Sequence, residues 1–485
     1  MGVSLFTSRV ILDKLGIDDY GIYTAVGGIV GFLSFLNGSL SGGTSRFLTF
    51  ALGEKSLEKQ KAVFSTTLTV HLFLAFAIII VAETAGLWFL YNKMVIPAVR
   101  LQAATWVYHL SIITAFLSLT QTPYNASIIA HERMGVYAYT SIAEATLKLL
   151  ICYLISMSPF DRLIVYAILL CALQVGMMCF YRFYCTRKFR ECHYNIHLYN
   201  KRLFKEIFSF SSWGLLASSS IALNSQGILV LLNMFFSPAI VAARSVSLTL
   251  NAAITSFVSN FRTAVNPQII KRYAAKDYEG SKSLLLSSVK YSFFLMWALS
   301  LPVYLLAEPL LSVWLKKVPD FSVIFLQLVV FQSLFQVFDT GFYTALYAKG
   351  QLRENALISP TLGFIQFPIV YLLFKFGCSP VALSWASLIM YAIMGLLIKP
   401  VLLIKIVGYD WGAIRNVFLS CILVSSTSAI LPLGISYLVD PNTTSGFFII
   451  LTTSIVSIGL SVWILGLDPA TRIKTVSYLQ SRMKK

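Results

Sequence analysis

Runs of apolar residues recur along this chain at the length of a membrane-crossing helix, and short polar connections separate them. Fourteen such stretches fall at about 1–16, 20–49, 62–90, 104–128, 138–157, 161–184, 207–235, 239–262, 286–311, 321–347, 355–377, 379–404, 414–438 and 444–466. About 20 apolar residues carry a helix through the hydrocarbon core, whereas barrel strands would be half as long and alternate in polarity. Because hydrocarbon offers backbone groups no outside partner, the pattern predicts an all-α, polytopic membrane helix bundle of about 14 transmembrane helices. Its organisation reads as an N-terminal half at 1–184, a basic linker at 185–206, a C-terminal half at 207–404, and a further helix pair with a basic tail at 405–485. Each half supplies six helices. The first stretch has only eight residues ahead of Arg9. Either this helix is truncated at its start, or it is short and its mismatch is absorbed locally.

Composition agrees with a membrane class: 57% of residues are hydrophobic, 12% are charged, and the mean hydropathy is +0.76. The net charge of +18 comes from 38 Lys and Arg against 20 Asp and Glu. Most of these cations sit in or beside every second connection: 50–61, 129–137, 185–206, 263–285, 348–354, 405–413 and the tail from Asp468. Short basic loops stay on the cytoplasmic side, so both termini are expected there. In a membrane chain the basic stretch 185–206 is explained by topology and anionic headgroups, without nucleic acid. No cleavable signal peptide is visible. The seven cysteines are scattered with no C-x-x-C pair and read as small buried hydrophobes. Eight tryptophans, including Trp88, Trp106, Trp297 and Trp411, lie mostly near predicted span ends, as an interfacial belt would.

Laying Leu15–Thr67 on Phe235–Ser288 gives an internal echo. Ala51-Leu-Gly-Glu-Lys matches Ala274-Ala-Lys-Asp-Tyr, and Phe64-Ser-Thr-Thr-Leu matches Leu286-Ser-Ser-Val-Lys. Repeated six-helix halves are a common way to build a transporter.

Several strings resemble a known family. Thr7-Ser-Arg-Val-Ile-Leu-Asp-Lys-Leu-Gly-Ile-Asp-Asp-Tyr-Gly-Ile-Tyr23, Thr122-Pro-Tyr-Asn-Ala-Ser, Ala130-His-Glu-Arg-Met134, the segment from Tyr181 to Tyr194, and Ala264-Val-Asn-Pro-Gln-Ile-Ile-Lys-Arg-Tyr-Ala-Ala275 carry the likeness. They are similar to the Wzx-type polysaccharide and O-antigen flippases of the multidrug/oligosaccharidyl-lipid/polysaccharide exporter superfamily. The short first helix departs from that pattern. The resemblance implies a multi-pass protein of the bacterial inner membrane. It would move undecaprenyl-diphosphate-linked oligosaccharide units for lipopolysaccharide or capsule biosynthesis by alternating access. Its partners would be the lipid-linked oligosaccharide, membrane lipids and other polysaccharide assembly proteins.

Such a cargo has a lipid tail, an anionic diphosphate and a polar glycan. Charges inside spans are therefore the candidates, since each costs about 2.5–3.5 kcal/mol on insertion unless it meets a cavity or a partner. Substrate-binding candidates are Arg46, Arg9, Arg244 and Lys148. Arg46 follows the small residues Gly42-Gly-Thr-Ser; it either holds phosphate or snorkels to the interface. Arg244 lies near an outer span end, where an interfacial role is an equal alternative. Candidates for ion coupling are Asp339, Glu144 and Glu83. Glu144 and Lys148 stand four apart and can pair on one helix face. Asp339 reads as a lone acid deep in a span: a cation site, or a hydrogen-bonded structural acid.

No G-x-x-x-x-G-K-[ST] loop and no H-E-x-x-H occurs, and the five histidines lack metal-ligand spacing. These gaps argue against an enzyme, and no cofactor is called for. A multidrug or cation antiporter of the same superfamily is the alternative, favouring acidic cavity residues. A membrane glycan polymerase or ligase is a further one, and would need a large extramembrane loop.

Overall fold

The computed structural model describes residues 2–32, 44–45, 47–52, 56–351, 353–468, 472–473 and 477. These are helical almost throughout, with no strand among them. Eleven helices among the described residues are long and apolar enough to cross a membrane. The chain is thus a polytopic helical membrane bundle.

In chain order the helices are α1 (Gly2–Leu15), α2 (Ile17–Phe32), α3 (Leu57–Lys93), α4 (Ala98–Ala130), α5 (Met134–Met157) and α6 (Arg162–Lys188). They continue as α7 (Lys201–Ala222), α8 (Ile228–Phe235), α9 (Pro238–Ala274), α10 (Tyr278–Leu305) and α11 (Ala307–Trp314). The last are α12 (Ser322–Lys349), α13 (Arg353–Lys375), α14 (Ala382–Val407), α15 (Trp411–Leu438) and α16 (Thr444–Gly466). Helix α1 has 14 residues, about 21 Å of helix against a hydrocarbon core of about 30 Å. Two compact units emerge: Met1–Ser245 with Ile358–Pro380, and Val246–Leu357 with Val381–Lys485.

Polar residues in the connections start the helices. Asp161 accepts from the backbone amides of Leu163 and Ile164, Asn200 from those of Arg202 and Leu203, and Asp410 from that of Ala413. Each satisfies amides that the first helical turn leaves without a partner. Gly350 and Gly408, at φ +77° and +84°, close α12 and α14 in the left-handed conformation that glycine adopts without steric cost.

In the first unit the basic linker is docked rather than free. The backbone amides of Asn195 and Asn200 donate to the hydroxyls of Ser65 and Thr66 on α3, at 3.2 and 3.1 Å, and Tyr194 Oη meets Thr69 Oγ1 at 3.2 Å. Glu191 binds His131 Nε2 at the end of α4, and the His131 ring stacks on Phe189 with centroids 4.0 Å apart. His193 and His197 remain exposed.

The opposite helix ends are tied by one guanidinium. Arg100, at the start of α4, donates to both carboxylate oxygens of Asp19 on α2, at 2.8 and 2.6 Å, and also to both of Asp161 ahead of α6. The fork of the guanidinium suits two carboxylates at once. Its hydrogen bond holds the Asp161 carboxyl below the usual carboxylate range.

Packing corrects two expectations about residue roles. Trp297 is not interfacial: it is buried in the second unit and donates to Ser428 Oγ on α15 at 2.8 Å. Trp88, Trp106, Trp385 and Trp411 are exposed, as a belt residue is. Cys152, Cys171, Cys185, Cys192 and Cys421 are buried, whereas Cys179 is exposed.

The Arg100 clamp yields a signed prediction. A carboxyl with a depressed folded pKa contributes stability that is present above its unfolded pKa and lost as pH falls through the folded one. Arg100→Gln should lower the thermal stability of the detergent-solubilised protein by about 1–3 kcal/mol at neutral pH. The gap to wild type should narrow below about pH 4. A gap that is constant across that range would show that the clamp's charges contribute nothing.

Candidate functional site

The second unit buries a cluster of charged side chains on four helices. Asp339 and Thr340 come from α12, Arg262 from α9, Asn355 from the first turn of α13, and Lys399 from α14. Asp339 lies ten residues from Lys349, the last residue of α12, or about 15 Å at the helical rise.

Lys399 is the centre of the cluster. Its side chain is only 3% exposed, and Nζ lies 2.9 Å from Asp339 Oδ1. The same ammonium donates to Asn355 Oδ1 and sits 5.5 Å from the centroid of the Tyr343 ring. A carboxylate, an amide oxygen and a π face together take the place of its water. Arg262 donates to both the hydroxyl and the carbonyl of Thr340, and Thr340 Oγ1 in turn donates to the Gln336 carbonyl at 2.7 Å. Two cations face one carboxylate, so the cluster carries a surplus positive charge.

Helix α14 is shaped to bring Lys399 there. π turns at Met394–Ile398 and Leu403–Val407 flank it, and each inserts a residue that rotates the helix face. Gly395 permits the approach to α12: a β-carbon there would lie 2.5 Å from the Phe335 carbonyl oxygen. Small residues at such contacts let helix backbones close up in a membrane. Below the cluster, Lys349 donates to the Ile406 carbonyl, tying α12 to α14 again.

Asp339 is therefore not a lone acid. The sequence marks it as deep and charged, but its partner lies on another helix. Glu83 is likewise paired. It sits in a π turn of α3, Ala82–Gly86, and its Oε1 meets His109 Nδ1 of α4 at 2.9 Å. The adjoining Ala82 carbonyl accepts from Tyr108 Oη at 2.6 Å. Glu144 and Lys148 form the expected pair within α5, at 2.6 Å, on an exposed face. Arg244 is buried in the second turn of α9, and Arg9 is half-buried in α1. Arg46 lies outside the described residues. The acids are not gathered in one place: each has its own basic partner. Reading the sequence left out Lys399, Arg262 and His109. An inventory of basic residues inside the spans would have flagged them, but not their pairings.

No protein-family model matches the chain, and no curated protein matches it in sequence. Solved structures do. A lipid II flippase, MurJ, in an inward closed conformation superposes with a TM-score of 0.70 at 10% identity, covering 95% of this chain and 97% of that one. An inward-facing multidrug resistance MATE family transporter of the MOP superfamily gives 0.68 at 15% identity, covering 86% and 94%. The MATE multidrug transporter DinF-BH gives 0.61 at 21% identity, covering 86% and 92%. The chain has the fold of these transporters. At such identities the likeness concerns the fold and carries no substrate with it.

The Lys399–Asp339 pair can be separated into structural and chemical parts by a substitution cycle. Asp339→Leu alone strands a buried ammonium and should destabilise the protein by about 3–5 kcal/mol, whereas Lys399→Met with Asp339→Leu should regain most of that stability. Melting of the purified variants reads the result. If the double variant is no more stable than Asp339→Leu, the pair is not the self-contained unit described.

Proposed function

We propose that this chain is a flippase that moves an undecaprenyl-diphosphate-linked oligosaccharide across the bacterial inner membrane for lipopolysaccharide or capsular polysaccharide biosynthesis. The observation that carries the reading is the surplus of positive charge at buried Lys399 and half-buried Arg262 over Asp339. A diphosphate leaving water needs fixed cations, and cations inside spans are retained where they meet a partner or a pathway. The family strings in the sequence and the fold shared with a lipid II flippase support the same direction. Transport would proceed by alternating access, with the basic loops and the C-terminus on the cytoplasmic side. Arg46, Arg9, Arg244 and Lys148 are further candidate substrate-binding cations. Glu144 and Glu83 are candidate ion-coupling acids.

Multidrug transporters share the fold, and a drug or cation antiporter is the alternative reading. It needs a carboxylate open to a cation, and at Asp339 the Lys399 ammonium occupies that place in this conformation. Release of Asp339 during the cycle would turn the pair into a coupling device, so Asp339 belongs to both readings.

Deleting the gene should leave complete lipid-linked units on the cytoplasmic face and remove the surface glycan. Intact surface glycan with altered drug tolerance would favour the antiporter instead. In the complemented strain, the Lys399→Met/Asp339→Leu double variant should reach the membrane at wild-type level yet export at least about tenfold less glycan, the loss expected when about 1.4 kcal/mol of interaction with the cargo is removed. Arg46→Ala should lower export without loss of folded protein. Normal export by both variants would take these residues out of the transport path.

A further inference from the structure

A pocket of about 460 Å³ lies between the last turns of α3 and the first turns of α4, at the end of the first unit opposite the docked linker. Its lining follows one face of α4 from Ala98 to His109, about 16 Å at the helical rise. Gln102, Thr105 and His109 place polar groups along that face, and Tyr91 of α3 closes the side with its Oη 3.1 Å from Thr105 Oγ1. The strip leads to the Glu83–His109 pair, whose Oε1 and Nδ1 are 2.9 Å apart. Each of these side chains is more than a third exposed, whereas that of Lys399 in the other interhelical pair is 3% exposed. The pair is therefore open to exchange with the pocket.

Its geometry is fixed from behind. Glu83 rides on the π turn Ala82–Gly86, and Tyr108, next to His109 in the chain, donates to the Ala82 carbonyl at 2.6 Å. Gly86 leaves room for that tyrosine: a β-carbon there would lie 2.1 Å from Tyr108 Oη. On the elements packed around the pair, Tyr23 of α2 faces Tyr166 of α6, Lys93 lies over the Trp88 ring, and Arg100 is taken by Asp19 and Asp161. Among the described residues, no Lys, Arg, Asp or Glu lines the pocket itself.

A proton is the ion that fits this arrangement. Nδ1 donates to the carboxylate, which leaves Nε2 to gain and lose a proton, and histidine is the side chain that does so between about pH 5 and 8. A hard metal cation would need several oxygen ligands, and here a ring nitrogen already faces the one carboxylate. With the imidazole neutral, the pair carries one net negative charge and the pocket has to hold water. With a proton taken from that water the pair is neutral, and the pocket can close over it at less cost. Proton uptake is thereby tied to whether the pocket is open.

We infer that Glu83 and His109 form a proton-binding site that couples a proton to transport, loaded through the α3–α4 pocket from the end opposite the basic linker. This rests on the flippase reading above; it names the ion for one of its candidate acids and adds His109 as the group that carries it.

The test titrates the full chain in nanodiscs and follows the emission of Trp106, taken as the difference between wild type and Trp106→Phe. Trp106 lines the pocket one turn from His109, and a protonated imidazole quenches an indole beside it. Wild type should show a single-proton fall in emission between about pH 8 and pH 5. His109→Gln should lose that step. Glu83→Gln, which serves if His109→Gln fails to fold, should move the step to lower pH by taking the carboxylate away from the imidazolium. In the complemented deletion strain, wild-type export of surface glycan should fall severalfold as the medium goes from about pH 6 to about pH 8, and export by His109→Gln should not change with pH. No step in wild type, or a step that persists in His109→Gln, would overturn the site and leave the flippase reading standing, because no cargo takes part in the titration. The same pH dependence of export in both strains would overturn the coupling. Intact surface glycan in the deletion strain would instead overturn the flippase reading, and with it the coupling to glycan export.

Discussion

A charge inside hydrocarbon has to be answered by another charge, and that requirement organises the polar interior of this protein. Lys399 meets Asp339, Glu83 meets His109, and Lys148 meets Glu144. At the helix ends Arg100 gathers Asp19 and Asp161. Coulomb attraction grows as the dielectric falls, but so does the penalty of leaving water, so only well-placed pairs persist. The apolar surface makes these helices membrane helices; the pairs specify which helix sits beside which.

The pairs differ in how far they are from water. Glu144 and Lys148 are one turn apart on a single helix, with both side chains more than a third exposed, and constrain little beyond α5 itself. Arg100 binds two acids from two other elements and fixes three helix starts. Lys399 has the least exposed side chain of these pairs, and its cluster alone carries unbalanced positive charge among them, with Arg262 set beside it on Thr340. A structure needing only neutrality would stop at the ion pair. The additional arginine leaves the cluster with more positive than negative charge, unlike the other pairs.

Irregular helix geometry serves the same end. π turns appear at Glu83, on either side of Lys399, and ahead of α8, and each leaves carbonyls without a regular partner. The Ala82 carbonyl accepts both the Leu87 amide of the π turn and the Tyr108 hydroxyl. The distortions thus coincide with polar side chains in the spans, where a straight helix would point them elsewhere.

The apolar periodicity by itself determined the helical membrane class and the positions of the long spans, because span length is set by bilayer thickness and each helix satisfies its own backbone. It also marked Asp339, Glu83 and the Glu144–Lys148 pair as unusual, since a charge in an apolar run is visible in one dimension. Docking of the 185–206 linker on α3 was not visible, as it depends on two hydroxyls accepting backbone amides across a long stretch of chain. Nor was the partner of Asp339. Which side chains meet is decided by the azimuth of each helix, by the register shift that π turns impose, and by small residues such as Gly395 that let two backbones approach. Those quantities exist only once helices are packed, so tertiary structure alone turned a lone acid and an unremarked lysine into one buried site.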